Sequence, residues 1–367
     1  MPSVRYELPT FPCTWDMWDE LKNEKRPIVV YGMGNGADKL VSRLEKYGVE
    51  ISDYFASDGF VRGHLFRGKR VKSFSEIKEQ YKDFVILLSF ASNRPEVLAM
   101  LRDINSAYDM RVPDLPVAGL DEYFDREFYN SHYSEIISAM SALADEESKN
   151  LFAAIVNYKL TGRAEYLFDS YSTKDELYSL LPCERIESYA DLGAYNGDTL
   201  AEALHYFPNL GKALLVEPDA KNFKRLSKFS DTVNGKDLTL VNAAAWSFDG
   251  KGEFNQSGNR NSTASATASH EHKTFAVALC RLDSLIQSPV DFIKYDVEGA
   301  EEEALLGSHE TIKKYTPALL VSVYHRSRDV FHLVNILRKK YEGYKLYLRR
   351  LYCLPAWETN LIMIKEN

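Results

Sequence analysis

The second half of the chain contains five short apolar segments that are separated, in most cases, by helix-like stretches. They comprise residues 189–192, 213–217, 239–243, 292–296 and 319–324. Strands that alternate with helices predict a parallel sheet. Two further segments, residues 345–351 and 360–365, are close enough in the chain to pair as an antiparallel hairpin. The pattern therefore predicts an α/β domain whose mostly parallel sheet ends in a C-terminal antiparallel hairpin.

A smaller α/β unit is predicted before this domain. Its apolar segments comprise residues 27–31, 50–55 and 85–90, with helix-like stretches at 37–47 and 95–104. Between the two units, the sequence has few glycines and is rich in helix-forming side chains. A chain of 367 residues is long for one hydrophobic core. We therefore predict a Rossmann-like N-terminal domain at 1–120, a helical connector at 121–181 and a second α/β domain at 182–367.

The composition disfavours several classes of protein. The formal net charge is -8 at pH 7, whereas binding to nucleic acid backbones needs clustered positive charge. No apolar run approaches the length of about 18 residues that a membrane span requires, and the N-terminus lacks the pattern of a signal peptide. The four cysteines are scattered, without metal-ligand spacing. These features predict a cytoplasmic protein with no membrane span and no nucleic acid partner. No ligand spacing in the sequence requires a metal, and the need for a divalent metal stays an open alternative.

A segment with two glycines follows the first strand of the second α/β domain. It reads Asp191-Leu192-Gly193-Ala194-Tyr195-Asn196-Gly197-Asp198-Thr199. Glycines at a strand-to-helix turn let the backbone approach a ligand where a Cβ atom would collide, and the amides of the first helical turn are expected to be free donors. The spacing G-x-x-x-G differs from the G-x-G-x-x-G of dinucleotide-binding proteins. The alternative interpretation is a tight turn that binds no ligand.

Acidic and small residues stand at the tips of the next strands. The second strand ends in Glu217-Pro218-Asp219 and the third in Asn242-Ala243-Ala244. A carboxylate at the tip of the second strand is able to accept two hydrogen bonds from a ribose diol. Asn242 and Ala243 would then lie beside an adenine. Alternatively, Glu217 is a surface carboxylate and the small residues pack beneath a helix.

The fourth strand continues into a third segment of interest. It reads Phe292-Ile293-Lys294-Tyr295-Asp296-Val297-Glu298-Gly299-Ala300-Glu301. Asp296 and Glu298 leave the carboxyl end of the strand, where ligands bind in parallel α/β sheets. The alternative is a pair of solvated carboxylates near a helix N-terminus.

In order and spacing, these three segments resemble the FkbM family of methyltransferases over about half of the chain. The matching stretches are DLGAYNGDT, VEPD and FIKYDVEGAEEEALLG. The resemblance implies a class I methyltransferase fold with a Rossmann-like sheet, S-adenosyl-L-methionine as the methyl donor, and usually O-methylation of sugars or natural products. It also implies that Asp191, Gly193 and Gly197 line the methionine end of the cofactor and that Glu217 binds its ribose.

The same segments supply the other candidate site residues. The further cofactor-binding candidates are Ala194, Tyr195, Asp198, Thr199, Pro218, Asn242, Ala243 and Asp296. Methyl transfer to an alcohol benefits from a base that removes the hydroxyl proton. The catalytic candidates are Asp296, Glu298 and His325, which follows the fifth strand. A lone histidine at a strand end is also commonly structural.

A second glycine-rich loop, Gly32-Met33-Gly34-Asn35-Gly36-Ala37, follows the first N-terminal strand, and Asp53 and Asp58 lie near the position of a ribose-binding acid. The surrounding sequence loosely resembles the N-terminal domains of sugar acyltransferases that hold a nucleotide sugar. We interpret this domain either as a ligand-recognition domain or as a docking domain that forms a homodimer.

The preferred hypothesis is an S-adenosyl-L-methionine-dependent methyltransferase that O-methylates a sugar, nucleotide sugar or glycan precursor. Its partner is then a small-molecule or glycan acceptor. One alternative is an oxidoreductase that binds an NAD-type dinucleotide at the N-terminal glycine loop. The other is a non-catalytic binding protein with a methyltransferase fold. The polar segment 252–273 is predicted to be a mobile lid.

Overall fold

The computed structural model describes residues 4–119, 122–255, 263–265 and 274–366. Two α/β units are present. The N-terminal unit contains strands β1 (Ile28–Tyr31), β2 (Asp53–Ala56), β3 (Leu65–Phe66), β4 (Lys69–Arg70), β5 (Lys72–Ser73), β6 (Val85–Leu88) and β7 (Asp109–Arg111). Its helices are α1 (Met17–Asn23), α2 (Asn35–Lys46), α3 (Phe74–Gln80) and α4 (Pro95–Ala107).

The N-terminal sheet is parallel, with strand order β5-β2-β1-β6-β7. β1 and β6 are buried along their whole length, because helices cover both faces of the sheet. Helix α2 packs on one face, while α3 and α4 pack on the other. The three predicted strands are present. β5 and β7 were not predicted, since two or three residues are too few to show a periodic pattern.

Five helices follow the N-terminal unit. They are α5 (Arg126–Ser131), α6 (Tyr133–Ala142), α7 (Glu146–Thr161), α8 (Glu165–Phe168) and α9 (Lys174–Tyr178). Helix α7 is almost entirely buried. Its Phe152 and Ile155 share a core cluster with the C-terminal sheet, whereas its Tyr158 packs in the N-terminal core. The helices between the two units thus contribute to both hydrophobic cores.

The C-terminal unit contains a seven-stranded sheet. Its elements are β8 (Ser188–Leu192), α10 (Asp198–Tyr206), β9 (Lys212–Val216), α11 (Ala220–Ser230), β10 (Asp237–Val241), α12 (Leu282–Leu285), β15 (Phe292–Tyr295), α13 (Glu301–Leu306), α14 (His309–Tyr315), β16 (Ala318–Ser322), α15 (Asp329–Lys340), β17 (Tyr344–Arg350) and β18 (Thr359–Lys365). The strand order is β10-β9-β8-β15-β16-β18-β17. Only the pairings of β18 with β16 and with β17 are antiparallel. The predicted fold class is confirmed.

A small second sheet lies after β10. It consists of β11 (Ala244–Ala245), β12 (Gly250–Asn255), β13 (Thr263–Ser265) and β14 (Thr274–Cys280). β12 pairs antiparallel with both β13 and β14. Part of the segment predicted as a mobile polar loop is therefore β-structure, and that part of the prediction was wrong. The rest of the predicted lid, residues 256–262 and 266–273, lies outside the described residues.

No helix in the described part of the chain is both long enough and apolar enough to cross a membrane.

Candidate functional site

A cavity of about 1350 Å³ lies where the carboxyl ends of the two parallel sheets face each other. The N-terminal unit lines it with the loop Gly34 to Gly36 and with residues 88–93, which follow β6. The C-terminal unit lines it with the tips of β8, β9 and β15. Ligand sites of parallel α/β sheets lie at this edge. The cavity exceeds the usual upper volume of about 1,000 Å³ for one small ligand, so it has room for two.

The turn between β8 and α10 is held by hydrogen bonds from its backbone amides to the end of β9. The amides of Gly193 and Ala194 donate to the carbonyl oxygen of Val216, at 2.9 and 3.0 Å. The amide of Tyr195 donates to Oε2 of Glu217 at 2.9 Å. The turn is thus fastened to the end of β9, which fixes Glu217 beside it. In the first turn of α10, the amides of Asp198 and Thr199 donate to side-chain oxygens of Asn196 and Asp198, at 3.2 and 3.0 Å, so these two are not the free donors that the sequence predicted.

Gly193 is required by a close approach of the backbone. Its φ is +98°, and a Cβ atom would lie 1.9 Å from the carbonyl oxygen of Asp296. Gly197 begins α10 at φ +95°, and a Cβ atom there would lie 2.5 Å from the ring of Phe229. The first glycine thus brings the first and third sequence segments into contact.

Asp191 lies beneath this turn rather than in the cavity. It is fully buried and accepts a hydrogen bond from the Thr199 hydroxyl. Burial raises the pKa of Asp191, although the nearby Lys294 ammonium lowers it. Asp191 therefore stabilises the turn from below.

Glu217, which directly follows β9, lies beside the β8 turn and lines the cavity. Its Oε1 accepts from the Asp219 amide at 2.9 Å, and its Oε2 accepts from the Tyr195 amide. Each carboxylate oxygen retains acceptor capacity. Burial raises the pKa of Glu217 to about 7. The geometry fits a carboxylate that receives two further hydroxyl donors.

The predicted cofactor-binding residues separate into two groups. Those that line the cavity are Gly193, Tyr195, Asp198, Thr199, Glu217, Pro218 and Asp296. Those that do not line the cavity are Asp191, Ala194, Gly197, Asn242 and Ala243. The Asn242 amide group donates to the carbonyl oxygens of Glu217 and Pro218, so it supports the loop after β9. Beyond β10, Ala244 and Ala245 reach the cavity instead.

Asp296 is held by several donors. Its Oδ2 accepts from Nζ of Lys294 at 3.1 Å, and its Oδ1 accepts from the hydroxyls of Ser322 at 3.0 Å and Tyr324 at 3.3 Å. Burial raises its pKa, but Lys294 and His325 outweigh burial and hold the pKa of Asp296 below its ordinary value. Asp296 is therefore ionised and weakly basic.

Lys294 was missed in the sequence, although a signal exists. It lies in β15 two residues before Asp296, and residues two apart share one face of a strand. Nearby Asp296 and Asp191 outweigh burial and raise the pKa of Lys294. A charged residue within a fully buried strand should have drawn attention.

His325 lies under the floor of the cavity in a group of carboxylates. Its Nδ1 is 2.9 Å from Oε1 of Glu301, and its Nε2 is 3.6 Å from both Oδ1 of Asp296 and Oε2 of Glu298. Burial lowers the pKa of His325, but the three carboxylates together raise it to about 10. At neutral pH this side chain is a cation that holds acidic residues in place, and it has no vacant site for a proton.

Glu298 lines the cavity, and Nε2 of His325 lies 3.6 Å from its Oε2. It accepts no hydrogen bond from any residue that the structure describes, and it occupies the left-handed region at φ +54°. Burial raises its pKa to about 8, although His325 lowers it. A base with a pKa near the working pH suits proton removal.

The segment between the two units crosses the floor of the site. The amides of Val117 and Ala118 both donate to the carbonyl oxygen of His325, at 2.9 Å. Lys39 of α2 donates to the carbonyl oxygen of Pro116 at 3.1 Å. The residue that follows β16 by three positions, His325, is thus fastened to the segment that Lys39 of the N-terminal unit also contacts, so both units contribute to one site.

Among the described residues, no group of three or more His, Cys, Asp or Glu side chains is arranged to hold a metal ion.

The fold and this site define a methyltransferase-type α/β domain. Residues 191–346 match the family model of the methyltransferase FkbM domain. The chain therefore carries an FkbM methyltransferase domain, as the resemblance of its three segments indicated.

Solved structures are similar to this chain to different degrees. A methyltransferase FkbM from Methylobacillus flagellatus KT is 20% identical, with a TM-score of 0.68, over 98% of this chain and 94% of that chain. Its likeness therefore includes the N-terminal unit. An rRNA methylase from Streptococcus thermophilus (12% identity, TM-score 0.34) covers 53% of this chain and 93% of its own. Aeropyrum pernix fibrillarin, in complex with S-adenosyl-L-methionine (13% identity, TM-score 0.34), covers 52% of this chain and 74% of its own. The search of curated proteins found no match.

Proposed function

We propose that this protein is an S-adenosyl-L-methionine-dependent O-methyltransferase. The observation that carries the proposal is the position of Glu217 at the tip of β9, with its carboxylate in the cavity beside the glycine turn. A carboxylate at this place suits a ribose diol. Gly193, Tyr195, Asp198 and Thr199 would hold the methionine end of the cofactor on the adjoining wall.

The chemistry demands alignment more than activation. The bound cofactor supplies an electrophilic methyl group on a sulfonium, and the residues of the chain position the attacking oxygen. We propose that Glu298 accepts the proton of the acceptor hydroxyl, since it lines the cavity and its carboxylate accepts no hydrogen bond from the described residues. Asp296 and Lys294 orient the same hydroxyl. His325 is a positioning residue for Glu298 and Asp296.

The acceptor is proposed to be a sugar, nucleotide sugar or glycan precursor. Support comes from a cavity with room for both a cofactor and an acceptor, and from its acidic lining, which suits hydroxyl donors. The N-terminal glycine loop opens on the same cavity, so the N-terminal unit is proposed to contact the acceptor. A cytoplasmic location, the absence of nucleic acid partners and a homodimer through the N-terminal unit stay predictions from the sequence.

An NAD-binding function at the N-terminal loop receives less support. Asp53, one candidate for the ribose-binding acid, is buried and accepts from Lys72 at 2.7 Å and from Tyr81 at 2.5 Å. Asp58, the other candidate, accepts from the hydroxyl of Ser75 at 2.6 Å. Neither carboxylate lines the cavity.

Substitution of Glu217 by glutamine is expected to weaken binding of S-adenosylhomocysteine by about 10- to 150-fold, because hydrogen bonds to a charged group contribute about 1.5–3 kcal/mol. Titration calorimetry at pH 8 measures the effect. In the wild type, affinity should fall between pH 8 and pH 6, since Glu217 takes up a proton as the pH drops through its pKa of about 7. The exposed Glu187→Gln is the matched control. Equal affinities of the two variants would exclude Glu217 from the site.

A further inference from the structure

The connection between β17 and β18 forms a wall of the cavity. We call residues 351–358 the hairpin connection. Six of its residues line the cavity: Leu351, Tyr352, Cys353, Pro355, Trp357 and Glu358. None of these residues belongs to the three sequence segments that identify the methyltransferase domain. In the sheet, β18 is separated from β9 by β8, β15 and β16, so the hairpin connection borders a part of the cavity away from Glu217.

A fully buried arginine holds the hairpin connection in place. Arg350 donates through Nε to the carbonyl oxygen of Ser170 at 3.0 Å and through Nη1 to that of Cys353 at 2.7 Å. Its Nη2 donates to the carbonyl oxygen of Leu167. Burying a guanidinium is unfavourable unless its donors are satisfied. These contacts fix the hairpin connection against the segment that precedes α9.

The N-terminal unit fixes the hairpin connection from the other side. The amide of Ser92 donates to the carbonyl oxygen of Leu354 at 2.8 Å, and the amide of Leu354 returns a bond to Ser92 at 3.0 Å. Ser92 itself lines the cavity. The wall is thus rigid and is shared by both units, which suits a surface that selects a ligand.

Glu358 projects from this rigid wall in a strained conformation. Its φ is +60°, although it is not a glycine. Among the described residues, five non-glycine residues have positive φ, and three of them line the cavity: Tyr195, Glu298 and Glu358. Backbone strain of this kind persists where the surroundings enforce it and concentrates at ligand sites. The carboxylate of Glu358 accepts no hydrogen bond from the described part of the chain. Burial and the nearby Asp296 carboxylate raise the pKa of Glu358, although Lys294 and His325 lower it.

Aromatic side chains line the same cavity as Glu358. The rings of Tyr171 and Tyr352 stack with centroids 4.3 Å apart, and both line the cavity together with Trp357. Tyr171 is 45% exposed. An aromatic surface beside an unoccupied carboxylate suits a ring that has an apolar face and hydroxyl groups at its edge.

We propose that Glu358 positions the acceptor by accepting a hydrogen bond from one of its hydroxyl groups, while the aromatic rings of the wall contact the face of the acceptor ring. This inference rests on the proposed function. In this proposal, the hairpin connection determines which acceptor the enzyme binds. Glu358 is then a specificity-determining residue that leaves cofactor binding unaffected.

The test uses the full-length protein saturated with S-adenosylhomocysteine. Methyl glycosides of glucose, mannose, galactose and rhamnose serve as probes, and saturation-transfer NMR measures their binding. At least one probe is expected to bind to the wild type and to the exposed control Glu342→Gln. Glu358→Gln should bind that probe at least about tenfold more weakly. Both variants should bind S-adenosylhomocysteine as the wild type does.

A glycine variant separates positioning from structure. Glu358→Gly removes the carboxylate and relieves the left-handed backbone, so its melting temperature should not fall below that of the wild type. It should nevertheless lose the probe as Glu358→Gln does. If the wild type binds S-adenosylhomocysteine but no probe, or if the Glu358 variants bind the probe as tightly as the wild type, the inference is wrong. A wild type that does not bind S-adenosylhomocysteine overturns the proposed function itself.

Discussion

Replacement of Glu298 by glutamine is expected to lower kcat by about 10²- to 10⁴-fold, which is the usual contribution of a positioned general base. The amide cannot accept the proton of an acceptor hydroxyl, although its size is unchanged. Release of S-adenosylhomocysteine with the methyl glycoside that binds best provides the measurement. The exposed Glu310→Gln, in α14, is the control and should retain the wild-type kcat.

The pH profile identifies the base more directly than the size of the loss. Because the pKa of Glu298 is raised to about 8, its carboxylate is mostly protonated at pH 7. The kcat of the wild type should therefore rise with pH through a midpoint near pH 8 and level off at about pH 9. In Glu298→Gln this rise should disappear. If the variant retains both the kcat and the pH profile of the wild type, Glu298 is not the base.

The second large effect concerns stability. Gly193→Ala should destabilise the protein by about 2–5 kcal/mol, since a left-handed alanine costs about 1–2 kcal/mol and a forced contact about 1–3 kcal/mol more. The forced contact is that of the new Cβ atom, 1.9 Å from the carbonyl oxygen of Asp296. Gly235 is the matched control. It also has a positive φ, of +71°, but a Cβ atom there has no neighbour within 4 Å.

Melting temperatures distinguish the two glycines. Each kcal/mol shifts the melting temperature by about 2–4 °C in domains of about 150–250 residues. The melting temperature of Gly193→Ala should therefore fall clearly further than that of Gly235→Ala. The decrease in Gly235→Ala should reflect the cost of the left-handed backbone alone. Equal shifts would show that the contact between the first and third sequence segments relaxes without cost. The close approach of Gly193 to Asp296 would then not contribute to the stability of the protein.

The sequence predicted the C-terminal sheet because its signals are local. Each strand is a short buried run, and the order of the glycine turn, Glu217 and Asp296 follows the order of the strands. The contact between Gly193 and Asp296 could not be predicted, because it joins positions that are about a hundred residues apart. The physical reason for Gly193 is accordingly different from the one expected. The absence of a side chain at Gly193 makes room for the backbone of Asp296, and Gly193 also lines the cavity.

The role of His325 also depended on distant residues. The sequence suggested a base at the end of β16, and the structure places Nε2 of His325 3.6 Å from Oδ1 of Asp296. Its burial and the third carboxylate, Glu301, were not foreseen, and together they make it a cation. Protonation state depends on every charge nearby, which no short motif contains.

The shared cavity could not be predicted from the sequence. It requires the carboxyl ends of two separate sheets to face each other, and the contacts that fix this arrangement join Val117 to His325 and Ser92 to Leu354. No periodic pattern encodes pairs so far apart in the chain. For the same reason Glu358 was overlooked, since it lies in what reads as an ordinary hairpin connection.

Calorimetric titration of the wild-type protein with S-adenosylhomocysteine and, separately, with NAD tests the central claim most directly. We expect one site for S-adenosylhomocysteine per chain and no heat of binding with NAD, because Glu217 faces the cavity whereas Asp53 accepts hydrogen bonds from Lys72 and Tyr81. Binding of NAD with no binding of S-adenosylhomocysteine would contradict it.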